Sequence, residues 1–140
     1  MLVPAIIRRM DQPQGTVLQL DAEHAAFIQG AVSVVVSSRN SQHVPDVVRG
    51  CGCRITRDRR RVTVLVEAAR AGSVLDDIAA NGLIAVVFSQ PSTHRTIQLK
   101  GSDARVTRVT GADRVIAQRH LQAWVQDLQL IGYAAEFARA

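Results

Sequence analysis

The chain has 140 residues, of which 47% are hydrophobic and 21% are charged, and its formal net charge is +5. This length and apolar content are sufficient for one domain with a hydrophobic core and exclude a disordered chain. No segment approaches the roughly 20 uninterrupted apolar residues of a membrane span, and the start of the chain lacks the basic-then-apolar order of a signal peptide. We therefore expect a single cytoplasmic domain over residues 1–140, without membrane contact.

The positive charge comes almost entirely from arginine, because Lys100 is the only lysine beside sixteen arginines. A basic chain favours anionic partners such as phosphates, nucleotides or nucleic acid. Aromatic residues make up only 4% of the chain, which argues against a base-stacking platform for single-stranded nucleic acid. Nucleic acid is therefore the least favoured anionic partner, and the arginine-rich run 57–61 is expected to be a solvated hairpin tip.

The start of the chain predicts an irregular segment followed by a short helix. Residues 1–20 are expected to form an irregular lead-in, because Pro4 and Pro13 interrupt regular structure. Asp21 can cap a helix that Gly30 would terminate.

Three strands are predicted next, from residues rich in β-branched side chains. They cover 31–38, 44–55 and 62–67. A bulge is expected in the second strand, near Gly50 and Gly52. The connections are too short for parallel crossovers, so the three strands should form an antiparallel meander.

The second half begins with another short helix and two further strands. Ser73 and Asp76 have the spacing of a capping box, which predicts a helix ending at Asn81–Gly82. Strands are predicted at 83–88 and 93–109.

A long C-terminal helix is predicted over 111–131, because Thr110 and Asp113 repeat the capping pattern. The tail after Gly132 has no clear pattern. The elements together predict a mainly-β α+β domain with two short helices and one long C-terminal helix. A short antiparallel sheet tends to close into a small barrel, which removes its edges. The helix should cover the sheet with an apolar stripe formed by Val115, Ile116, His120, Trp124, Leu128 and Leu130.

The two cysteines, Cys51 and Cys53, are separated by one glycine. A C-x-C pair rarely closes a disulfide, and no second Cys/His cluster stands nearby to complete a zinc site. We expect two ordinary buried thiols and no metal site.

The segment Phe88–Gly101 carries the densest polar chemistry of the chain. An apolar run meets a polar corner at 89–92, and serine, threonine, histidine and arginine follow closely. Hydroxyl and guanidinium groups at the start of a strand favour a pocket for a phosphate or another anion. The alternative is a hairpin whose polar turn is merely solvated.

The same segment carries a resemblance to a known family. A strand that ends in Ser-x-Pro, at Ser89–Pro91, precedes an Arg-Thr-x-Gln-x-x-Gly strand, at Arg95–Gly101. Together with the order of the preceding elements, over 21–107, this resembles the pyridoxamine 5'-phosphate oxidase-related family. The resemblance implies a small antiparallel split β-barrel of Greek-key type that binds FMN and forms a homodimer, with the flavin held between subunits.

The resemblance also implies which residues contact the cofactor. True pyridoxamine-phosphate oxidases carry a Ser-Arg-Lys-like phosphate clamp where this chain has 72–74, and nothing after Thr110 matches their substrate-phosphate residues. A specific pyridoxamine-phosphate oxidase activity is therefore not expected. Arg95 is favoured over Lys100 as a ligand, and His94 is expected to be a surface turn residue. The implied cofactor contacts are Ser89, Ser92, Thr93, Arg95 and Gln98 at the corner, with Arg70 and Ser73 at the start of the second helix.

Three functional hypotheses remain open at this point. The first is a flavin-dependent oxidoreductase with FMN as cofactor, coenzyme F420 or haem being less favoured, and with an unknown small-molecule substrate. The second is a non-catalytic barrel that has lost its cofactor and binds a ligand or a partner. The third is nucleic-acid binding through the arginine-rich surface, which rests on charge alone.

Overall fold

The structure, a computed structural model, describes the backbone of residues 2–8 and all atoms of residues 19–139. Its strands are β1 (Leu2–Arg8), β2 (Ser33–Arg39), β3 (Pro45–Ile55), β4 (Arg61–Glu67), β5 (Ile84–Ser89), β6 (Thr96–Gly101) and β7 (Arg105–Val106). Its helices are α1 (Ala22–Ile28), α2 (Gly72–Asn81), α3 (Gly111–Leu130) and α4 (Ala135–Arg139). Among these helices, none combines the length and apolar character needed to cross a membrane.

The seven strands form one sheet in the order β6-β5-β2-β3-β4-β1-β7, and every neighbouring pair is antiparallel. The strands β2, β3 and β4 form the predicted meander. After α2, the strand β5 returns to lie beside β2, which is the Greek-key order of four strands. The predicted α+β fold with an antiparallel sheet is therefore confirmed.

The predicted bulge in β3 is also present, between Gly50 and Gly52, where the register with β4 shifts. Val48 and Cys53 both belong to the core although they are five residues apart. Strict alternation would place them on opposite faces, so one extra residue in the strand is required. The bulge thereby changes which side chains of β3 face the core.

The core lies on the sheet face that α1 and α2 cover. Short β-branched side chains from the central strands pack against both helices, as expected for a sheet with one buried face. Among the most deeply buried side chains are Ile28 of α1, Val74 and Ile78 of α2, and Val34, Val36, Val64, Val86 and Phe88 of the sheet.

The long helix α3 packs against β3 and is bonded to the sheet near its start and at its middle. The capping box of Thr110 and Asp113 forms as predicted. Asp113 also accepts a hydrogen bond from Arg54 Nε of β3 at 2.6 Å. At the middle of α3, His120 Nε2 lies 2.7 Å from the carbonyl oxygen of Val32, just before β2. These bonds fix where α3 crosses the sheet.

The predicted apolar stripe of α3 is only partly correct. Trp124 and Leu128 are buried, but Val115 and Leu130 are exposed. The residues that complete the packing come from α4, whose Ala138 joins Trp124, Val125 and Leu128 in a second small core. The buried face of α3 is set by contacts with α4 and β3, which helical spacing does not reveal.

The expected irregular lead-in over residues 1–20 is wrong for Leu2–Arg8, which form β1 and pair with β4 along its whole length. Pro4 lies outside the short pairing with β7, which covers β1 only at Ala5 and Ile6, and proline within a sheet is found at such edge positions. The part of this prediction that concerns residues 9–18 lies outside the described residues.

Two further predictions about local structure are corrected, and the tail, which had no clear pattern in the sequence, is assigned. The helix α2 begins without a side-chain cap, because the Ser73 hydroxyl donates to Asp46 instead of capping the helix. The strand expected over 93–109 is shorter and is divided into β6 and β7. The tail forms a fourth helix, α4, and supplies no strand.

Gly82 ends α2 in the left-handed region, at a φ of 70°. An alanine Cβ there would lie 2.8 Å from the carbonyl oxygen of Ser102. We expect Gly82→Ala to lower the free energy of unfolding by about 2 kcal/mol or more in urea denaturation. Gly72→Ala is the matched control, because a Cβ at the first residue of α2 meets nothing within 4 Å. An equal loss in both variants would contradict this explanation.

Stability should also depend on pH through Asp113, which is fully buried. Burial alone would raise its pKa, but hydrogen bonds from Thr110 and Arg54 outweigh burial, so the pKa lies below the ordinary value of 3.8. The ionised carboxylate therefore stabilises the fold fully well above 3.8, and this contribution is lost as the pH falls through the folded-state pKa.

We expect Asp113→Asn to be much less stable than the parent at neutral pH and to approach it in stability at pH values below 3.8. Chemical denaturation across this range measures the difference. Asp76→Asn, at an exposed position of α2, should show no such convergence. A difference for Asp113→Asn that stays constant with pH would contradict the role of the ionised carboxylate.

Candidate functional site

A cleft of about 790 Å³ lies between α3, α4 and the strands β2 and β3, and the end of β4 reaches it as well. We call it the arginine cleft. It combines cationic, apolar and thiol groups in one cavity. The lining residues that carry its chemistry are Arg49, Arg70, Arg114, Arg139, Glu67, Cys51, His120, Leu121 and Trp124.

Arg49 reaches the cleft from β3, where it alternates with the buried Val48 and lies directly opposite Val35 of β2. Its guanidinium carbon lies 5.4 Å from the centre of the Trp124 ring. A cation over an indole face is attracted by the ring quadrupole. The pair forms a flat surface on this side of the cleft, with the indole buried beneath the guanidinium.

Arg70 lies in the turn between β4 and α2, and its Nε is 3.3 Å from Glu67 Oε2. Both side chains are largely exposed, so solvent screens the ion pair, and the pair contributes little to stability. A stronger anion could therefore replace Glu67 at small cost. Arg70 is the one residue among the predicted cofactor contacts that lines the cleft.

The cleft is electropositive. Its lining holds four arginines and one glutamate, a balance of three positive charges. Burial, and to a smaller extent the nearby Arg49, lower the pKa of His120, although the hydrogen bond to the Val32 carbonyl acts against them. His120 is therefore neutral at physiological pH and adds no charge. A concave site with an excess of positive charge concentrates anionic ligands.

The two cysteines have different environments, because Cys51 lies in the bulge and Cys53 follows it. Cys53 is buried, and its thiol donates to the carbonyl oxygen of Ile28 at 3.0 Å. Burial raises its pKa to about 12. Cys51 is only partly buried and lines the cleft. Burial, followed by the negative charge of Glu67, raises its pKa as well. The prediction of two buried thiols is correct for Cys53 only.

The polar corner predicted as an anion pocket lies outside the arginine cleft. The backbone N–H and hydroxyl of Ser92 donate to the two oxygens of the buried Asp127 on α3, at 3.1 and 2.5 Å. Gln90 Nε2 donates to Asp127 as well, at 3.1 Å. The hydroxyls of Ser89 and Thr96 lie 2.7 Å apart and bond to each other. These groups hold the corner together and fasten it to α3.

The remaining predicted contacts are also placed away from the cleft. Arg95 Nη2 lies 2.9 Å from Glu23 Oε1 of α1, and the guanidinium carbon is 4.5 Å from the centre of the Phe27 ring. Thr93 and Gln98 are exposed. Ser73, at the start of α2, is bonded to Asp46 as described above. The structure therefore does not gather the predicted set into one site.

Two residues outside the predicted contacts have clear positions too. His94 is exposed in the turn before β6, at a φ of 59°. Lys100 is exposed on β6, directly opposite Ala85.

Sequence reasoning missed the arginines of β3, α3 and α4. The position of Arg49 could have been found, because strand alternation places it opposite to the core-facing Val48. Arg114 and Arg139 carry no such local signal, since they line one cleft only when α4 packs against α3.

The cleft can be tested through its thiol. We expect a disulfide reagent to modify one thiol of the native protein, Cys51, more slowly than free cysteine, because the raised pKa leaves little thiolate. Cys53 should react only after unfolding. Absorbance of the released thiol reports the rate, and Cys51→Ser removes the native-state reaction. Equal reaction of both thiols in the native protein would contradict these environments.

No protein-family model, curated protein or solved structure matches the chain.

Proposed function

We propose that the chain binds FMN in the arginine cleft and acts as a flavin-dependent oxidoreductase of the split-barrel type. The observation that carries this proposal is the joint presence of four arginines and an apolar wall, Leu121 with Trp124, in one cleft of about 790 Å³. FMN has matching parts, a phosphate dianion and a planar ring with large apolar faces.

The size and chemistry of the cleft suit such a ligand. Small-molecule sites usually have volumes of about 300 to 1,000 Å³ and combine apolar walls with a few charged groups. Guanidinium groups bind phosphate through paired hydrogen bonds. The flat surface formed by Arg49 over Trp124 and the side chain of Leu121 offer a stacking surface for a ring.

The connectivity of the sheet supports a barrel. The strands β6 and β7 are the two edges of the sheet, yet only residues 102–104 separate them in the chain. Such a link spans at most about 14 Å. Six strand spacings of about 4.8 Å would separate the edges of a flat sheet by about 29 Å. The sheet must therefore curve strongly, as in a split barrel of Greek-key type.

A homodimer is part of the proposal. Val35 and Val47 are 36% and 62% exposed, and they lie on the same sheet face as Arg49. Exposed apolar side chains beside a ligand cleft are typical of a surface that another protein covers. A second copy of the chain would bury these valines next to the cofactor.

FMN supplies hydride-transfer chemistry when it is bound. In this proposal Arg49 orients the ring, Leu121 keeps water from the ring, and Arg70 adds to the positive charge that attracts the phosphate. The Nε2–H of His120 donates a hydrogen bond to the Val32 carbonyl, which holds α3 in place. The substrate is a small molecule, and a specific pyridoxamine-phosphate oxidase activity is not proposed.

The second candidate is a non-catalytic barrel that binds a ligand or a partner without cofactor. The internal bonding of the corner favours it, because Ser92 is bonded to Asp127 and Arg95 to Glu23. Polar groups that satisfy one another are less available to a cofactor.

A titration separates the two candidates. We expect the purified protein to bind FMN with the flavin absorbance near about 450 nm that the cofactor itself carries, and FMN to slow the modification of Cys51. Arg49→Gln should weaken FMN binding about tenfold, because a cation over an aromatic ring contributes about 0.5 to 2 kcal/mol. The same titration is carried out with coenzyme F420 and with haem.

Arg60→Gln is the matched control, since Arg60 is an exposed arginine in the turn between β3 and β4 and does not line the cleft. Its FMN affinity should equal that of the parent. A colourless protein that binds none of the three cofactors would exclude the oxidoreductase and leave the non-catalytic barrel.

A further inference from the structure

Two arginines of the cleft differ from the other two because, among the described residues, they have neither an ion-pair partner nor an aromatic contact. Arg70 pairs with Glu67, and Arg49 lies over Trp124. Arg114 of α3 and Arg139 of α4 form no ion pair with any residue of the described ranges. Both line the arginine cleft. The C-terminal helices therefore bring two uncompensated cations to one cavity.

Both cations line the cleft together with Gln118. Arg114 precedes Gln118 by four residues on α3, so both side chains lie on the same helix face. Arg139 and Gln118 together line the arginine cleft and also an adjoining groove of about 590 Å³. The position of Arg139 is fixed by its neighbour Ala138, which packs in the small core with Trp124 and Leu128. Arg114 and Arg139 thus both lie on the helical side of the cleft.

This arrangement favours an anionic ligand. Arg114 lies in the opening turn of α3, where the helix dipole disfavours a cation. A second cation in the same cavity adds repulsion. A dianion between the two guanidinium groups would offset both effects and could accept two hydrogen bonds from each group. A phosphate monoester has this charge and geometry.

We propose that Arg114 and Arg139 form a clamp for a terminal phosphate and make the cleft selective for phosphorylated ligands. The identification of that ligand as FMN rests on the proposed function. The clamp places the phosphate at the helical end of the cleft and the ring at the strand end, against Arg49. It also makes α4 part of the binding site.

The experiment compares FMN with riboflavin, which lacks the phosphate, in calorimetric titrations of the parent and the Arg114→Gln/Arg139→Gln double variant. Inorganic pyrophosphate serves as a third probe that needs no flavin. We expect the parent to bind FMN at least one hundredfold more tightly than riboflavin, about tenfold for each arginine. The double variant should lose this preference and pyrophosphate binding, and keep its riboflavin affinity.

Two control variants sharpen the comparison. Arg119→Gln removes the same charge from an exposed position of α3 that does not line the cleft, and it should keep the full preference for FMN. Arg70→Gln tests the alternative position of the phosphate at the start of α2. A preference for FMN that disappears in Arg70→Gln and survives in the double variant would overturn the clamp.

The clamp and the proposed function can fail separately. If the parent binds neither flavin but binds pyrophosphate, and the double variant does not, the clamp stands and FMN is the wrong ligand. If FMN binds but the double variant keeps the preference over riboflavin, FMN binding stands and the clamp is overturned. If neither flavin nor pyrophosphate binds, both are overturned.

Discussion

The bulge between Gly50 and Gly52 is the constraint on which the rest of the structure depends. It inserts one residue into β3, so that the strand can place both Val48 and Cys53 in the core. The absence of a side chain at Gly52 brings His120 of α3 close, since a Cβ there would lie 3.1 Å from its Cβ. His120 then reaches the Val32 carbonyl and fixes α3 on the sheet. One wall of the arginine cleft is placed by this contact.

Much of the fold could be predicted because its determinants are local. Glycines separated by one residue predicted the bulge, β-branched runs predicted the meander, and Thr110 with Asp113 predicted the start of α3. The predictions were wrong where the decisive contacts are formed by residues that are distant in sequence. Pro4 lies in a strand, at a position that the pairing with β7 does not cover, and the Ser73 hydroxyl bonds to Asp46, which is remote in sequence.

The candidate site was harder to predict, for a related reason. The corner at 89–92 is dense in polar groups, but a buried carboxylate, Asp127, accepts their hydrogen bonds. Local density of hydroxyl groups does not distinguish a binding pocket from an internal network. The cleft instead combines single arginines from four separate segments. Arg70 was predicted because it stands beside a helix start, whereas the others are brought together only by tertiary packing.

The attachment of α3 has a mechanical consequence. The helix is bonded near its start through Asp113 to Arg54, at its middle through His120 to Val32, and near its end through Asp127 to Ser92. Hydrogen bonds at these three points along its length prevent α3 from rotating relative to the rest of the domain. The helix α4, by contrast, follows a turn at Gly132 and packs through a small apolar cluster. A change in the width of the cleft therefore requires a movement of α4, while α3 keeps its position on the sheet.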